Sequence, residues 1–75
     1  NVIEALKSCE EREVVLIQLY SEASQYCANV GANEDFALFT RLLEEEQGQL
    51  IRVQSWLEDY YKSFAATHQP VRNFV

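Results

Sequence analysis

Two glutamates sit where a helical pattern would otherwise place apolar side chains. Val2, Leu6, Cys9, Glu13, Leu16, Tyr20, Ala23, Cys27 and Val30 follow one another at spacings of 4-3-4-3-4-3-4-3, a continuous seam along one face of a helix. Glu13 is the one break in it. Phe39, Leu42, Glu46, Gln49, Val53, Trp56 and Tyr60 repeat the arrangement at 3-4-3-4-3-4, with Leu43, Leu50 and Leu57 on an adjacent ridge. Here Glu46 and Gln49 interrupt, one turn apart on the same face. No lysine or arginine occupies either seam, and Arg41 and Arg52 fall on other faces. A buried carboxylate without a cationic partner must be protonated, be hydrogen-bonded or bind a cation. The chemistry in view is therefore cation binding by Glu13 and Glu46. Gln49 would be a neutral oxygen ligand, or an amide that donates to a carboxylate and fixes register. The alternative is a metal-free polar layer in which both glutamates are protonated or bonded to Gln49 or Tyr20.

The other reactive side chains carry less. Tyr20 either packs in the core, bonds to a ligand carboxylate or serves as a redox-active phenol. Glu44 and Glu45 read as a solvated face beside the seam, able to guide cations. Cys9 and Cys27 lie 18 positions apart in one helix, about 27 Å at the standard rise, so they cannot pair within the chain and read as small buried hydrophobes. His68 stands alone near Pro70 and Arg72.

The elements that must position these residues are two helices. Asn1 and Glu4 suit a capping box, and Asn29-Val30-Gly31 is a helix stop with a glycine free to adopt the left-handed conformation. The first helix is expected over about 2–30. Asn33 is the expected N-cap of the second, with Glu34 and Asp35 in the first turn, where the helix dipole favours negative charge. That helix is expected over about 34–66, before His68-Gln69-Pro70 and a short C-terminal tail. Gly48 lies inside its pattern. So short a link forces the two helices antiparallel, and 1–75 reads as a single all-α helical-hairpin domain. Counted from the link, Glu13 stands about 27 Å and Glu46 about 20 Å along their helices, within about a turn or so of one level.

A chain of 75 residues, 48% hydrophobic and without a disulfide, is marginal as an isolated monomer, so a homo-oligomer, dimer or higher, is expected. Two-fold symmetry would bring in a second copy of Glu13 and Glu46. Four carboxylates at one buried level would require a metal or several protons. A net charge of −6 with no basic cluster argues against nucleic acid and anionic membrane surfaces. With no disulfide framework, secretory signal or apolar run near 18 residues, the expected compartment is the cytoplasm or another reducing lumen.

The stretch from Glu13 to Tyr60 resembles the ferritin-like superfamily, in particular rubrerythrin-type and two-helix encapsulated-ferritin-type proteins. Glu13 and Tyr20 have the seven-residue spacing of that family's first-helix Glu and Tyr. Leu38-Phe39-Thr40-Arg41-Leu42-Leu43-Glu44-Glu45-Glu46-Gln47-Gly48-Gln49 resembles its second-helix pattern L-F-x-x-L-A-E-E-E-x-x-H. Glu46 matches the glutamate of the Glu-x-x-His pair, and Gln49 stands in place of the histidine. The resemblance implies an antiparallel hairpin that dimerises into a four-helix bundle with a dinuclear metal site at the interface. It implies Glu13 as a terminal or bridging ligand, Glu46 as a bridging ligand and oxidation of ferrous iron as the chemistry. Without imidazole, the donor set suits a hard ion such as Mg, Ca or Mn, or iron held by carboxylates. The other reading that the resemblance leaves open is a metal-free ferritin-like scaffold or interaction module.

Overall fold

A computed structural model of the chain describes residues 1–68, and the expected tail from Gln69 onward lies outside them. The chain forms α1 (Val2–Val30) and α2 (Asn33–His68). The start of α1 follows from its first four residues. The Glu4 N–H donates to Asn1 Oδ1 at 2.9 Å, and Glu4 Oε2 accepts from the Asn1 ammonium at 3.4 Å, which satisfies donors that the first helical turn leaves open.

The reversal is built by Gly31, whose φ of 74° and ψ of 21° lie in the left-handed region. That geometry lets the Ala32 N–H reach Cys27 O at 2.9 Å and the Gly31 N–H reach Ala28 O at 3.3 Å. This is the Schellman pairing, which closes the last turn of α1. The first bond of α2 runs from the Phe36 N–H to Ala32 O at 2.8 Å. Asn33 is thus the first helical residue rather than the cap, because Ala32 already supplies the capping carbonyl. The second helix also runs two residues past its expected end.

The helices pack antiparallel in a register set by Ser24 opposite Thr40, their hydroxyls 3.2 Å apart. Near the turn the Tyr20 and Phe39 rings lie 6.2 Å apart, and at the open end Lys7 Nζ sits 5.8 Å from the centre of the Tyr61 ring. On α1 the buried or half-buried residues are the expected seam from Leu6 to Cys27 together with Ile3, Glu10, Ile17 and Ser24. On α2 they are Phe39, Thr40, Leu42, Leu43, Glu46, Gly48, Leu50, Val53 and Leu57, whereas Gln49, Trp56 and Tyr60 are exposed. The helix is rotated from the expected seam toward the Leu43–Leu50–Leu57 ridge. Facing leucines inward buries hydrocarbon at no polar cost, while facing Gln49 inward would bury an amide with four hydrogen bonds to satisfy.

Among the described residues only Cys27, Val53 and Leu57 are buried apolar residues. The fold measures 67 × 21 × 13 Å, a single layer one helix thick. Its radius of gyration is 18.7 Å, against about 11 Å for a compact domain of this length.

The two glycines predict opposite responses to one substitution. A Cβ at either would meet nothing within 4 Å, so backbone preference alone decides. Gly31→Ala should cost about 1–2 kcal/mol in the left-handed position, while Gly48→Ala, inside α2, should gain about 0.5–1 kcal/mol. Urea unfolding at one fixed protein concentration measures both.

Candidate functional site

Glu13 projects from the middle of the α1 seam and is half-buried. Its Oε2 is a buried atom with no hydrogen-bond partner. Eleven residues before Ser24, Glu13 stands near the level of Leu50 and Val53 on α2, with Cys9 and Leu16 on its own seam, side chains that offer a carboxylate no strong donor. Tyr20, two turns further along α1, packs its ring against Phe39.

Glu46, also half-buried, comes from the inward face of α2. It lies six residues past Thr40, level with Gln18, which is six before Ser24. Gln18 and Glu13 are five residues apart, about 7.5 Å along the axis. The offset agrees with that expected from counting along the sequence. Glu46 lines a solvent-open groove with Glu44, Glu45, Gly48, Gln49 and Arg52. Glu13 does not line that groove.

Gln49 is exposed, and its Oε1 accepts from Arg52 Nε at 2.9 Å and from Arg52 Nη2 at 2.6 Å. Arg52 therefore does not stand clear of the polar residues, as its position in the pattern suggested. It is one turn from Gln49 and occupies the oxygen that a ligand role would use. Within one chain, then, Glu13 and Glu46 share the inward side of the hairpin at different heights, and Gln49, in the same groove as Glu46, is exposed and turned to Arg52. Among the described residues no group of three or more His, Cys, Asp or Glu side chains lies close enough to hold a metal ion.

Ser24 and Thr40 carry an interhelical polar bond near the turn, and Ser24 is buried. The sequence signal for them is weak. A serine beside Ala23 marks a place where backbones can approach, but nothing in periodicity names its partner. Cys9 and Cys27 are free thiols, half-buried and buried, in keeping with packing roles. No helix of the described residues is long and apolar enough to cross a membrane.

No family model, curated protein or solved structure matches this chain.

An unpartnered buried carboxylate oxygen is a liability in the absence of a cation. Glu13→Leu should therefore stabilise the protein by about 1–3 kcal/mol at neutral pH in buffer containing a chelator. The urea midpoint reads this directly, and a loss of stability there would mean that Glu13 has a partner in solution.

Proposed function

We propose that the chain is a ferritin-like helical hairpin that dimerises into a four-helix bundle and holds a hard divalent cation, manganese or iron, through Glu13 and Glu46 between the two copies. The observation that carries this reading is the buried, unpartnered Oε2 of Glu13. A lone carboxylate oxygen facing inward from a one-layer hairpin becomes satisfied when a second layer brings positive charge to it. The donors available per copy are two carboxylates and no imidazole, which suits an oxygen-preferring ion. Glu44 and Glu45 on the groove rim add negative potential on the approach to Glu46. In this reading Gln49 is not a ligand. Its bond to Arg52 holds the guanidinium along α2.

A second reading has its own support. The tie between Gln49 and Arg52, at the position where the resembling family has histidine, favours a metal-free hairpin that acts as a scaffold or interaction module.

Calorimetric titration of the metal-free protein with manganese separates the two. The metal reading expects saturable binding at micromolar affinity, lost in Glu46→Ala. It also expects Glu13→Leu to destabilise the manganese-loaded protein, opposite to its effect with chelator present. Absence of binding at micromolar ion leaves the scaffold reading in place.

A further inference from the structure

The two sides of the hairpin differ in chemistry. On one side the groove between the helices has a floor of Leu57, Tyr61 and Ala65 and a charged rim of Lys7, Glu10, Glu58 and Lys62. On the other it is lined by Val2, Leu6, Trp56 and Tyr60. Followed along α1 at seven-residue spacing, Val2 leads to Cys9, Leu16, Ala23 and Val30; followed back along α2, Trp56 leads to Gln49 and Leu42. The second side is thus apolar along most of the hairpin. Leu19 and Tyr26 widen it on α1 and Leu38 on α2. Leu19 is 54% exposed and Trp56 51%.

A polar belt crosses this face, and Glu45 and Asp59 share the heptad row of Leu38 and Arg52. Arg12 lies twelve residues before Ser24 and Arg52 twelve after Thr40, so the two arginines stand at one level in the register. Gln49 is bound to Arg52 in the same belt, and Glu13 is next to Arg12 in sequence, with its unpartnered oxygen directed inward. Arg52 and Glu45, one heptad apart, put both signs of charge on this face near the middle of the hairpin. A copy of the face turned over by a two-fold axis midway between them sets each Arg52 against the partner's Glu45.

We propose that the face made by Leu16, Leu19, Ala23, Leu42, Trp56 and Tyr60 is where a second copy of this chain seats, with Arg52 and Glu45 fixing the register between copies. The proposal rests on the dimer of the preceding reading and not on its metal. Area supports this occupant. The accessible surface is 5888 Å², against about 4,700 Å² for a compact 8.7 kDa monomer. The excess is about 1,200 Å², and a stable interface removes about 800 Å² from each partner. On the side opposite, a partner would have to desolvate the rim charges Lys7, Glu10, Glu58 and Lys62.

Sedimentation of the chelator-treated chain across a micromolar concentration series tests it, with circular dichroism recorded on the same samples. The wild type is expected to be a helical dimer, and the emission of Trp56, the chain's one tryptophan, is expected to shift to the blue as dimer forms. Leu19→Glu should raise the dimer dissociation constant at least about tenfold. Arg52→Glu should also weaken it. Ile51→Glu is the control, because Ile51 is 67% exposed and lies about 140° around α2 from Trp56 at 100° per residue. A helical monomer throughout, with unshifted Trp56 emission, overturns the proposal and assigns the face to some other partner. Equal weakening by Leu19→Glu and Ile51→Glu overturns it as well. If Leu19→Glu fails to fold, the wild-type emission series still decides. A dimer with these responses that takes up no manganese defeats only the metal reading, whereas manganese uptake by a dimer insensitive to Leu19→Glu defeats only this one.

Discussion

The left-handed turn at Gly31 is the constraint from which the other features of the hairpin follow. Once the Ala32 N–H has bonded to Cys27 O and the Phe36 N–H to Ala32 O, the chain has reversed within a few residues. The second helix then has no freedom to slide along the first. Ser24 must face Thr40, the Tyr20 ring must meet Phe39, and Lys7 must reach Tyr61. That fixed register decides which carboxylates can share a level and which apolar residues are left outside. A longer link would permit several registers, each with a different set of buried side chains.

Much of this hairpin is legible in the sequence. The bounds of α1, its Asn1–Glu4 box and the stop at Gly31 are local matters of capping and dihedral preference, which a few neighbouring residues decide. The inward seam of α1 is legible for a similar reason, since its alternatives are mostly polar. The rotation of α2 is less so. Leu42, Gln49 and Trp56 share one heptad row, Leu43, Leu50 and Leu57 share the next, and both rows combine plausibly with Glu46 and Val53. Periodicity alone cannot choose between neighbouring rows of similar apolarity. The choice depends on the desolvation of Gln49 against α1, and that is a tertiary quantity. The hydroxyl pair of Ser24 and Thr40 escapes sequence reading because short polar side chains carry no periodic signal. For the candidate site, the half-burial of Glu13 and Glu46 follows from their seam positions. The capture of Gln49 by Arg52 depends on a rotamer of a long side chain, which spacing permits without requiring.

The hairpin places its polar groups unevenly. Most of the twelve acidic residues lie on exposed positions where water screens them. Glu13 does not, and its orphaned oxygen makes the isolated hairpin a poor end state even before hydrophobic area is considered. The same inward position that makes Glu13 costly alone makes it sensitive to whatever is laid over the hairpin. Stability, assembly and any ion binding therefore act through one residue at mid-height rather than through separate parts of the chain.

The helices are also unequal in length. On the register of Ser24 with Thr40, Val2 at the start of α1 stands level with Lys62, and α2 continues for six residues beyond it. The second helix thus outlasts the first at that end, whereas the turn end is tied by backbone bonds, a hydroxyl pair and a ring contact. Resistance to opening should therefore be graded along the molecule, lowest at the far end of α2 and highest beside Gly31. Thermal unzipping of a single hairpin would begin at the far end of α2 and run toward the loop, leaving the reversal as the last ordered element and the natural seed for refolding.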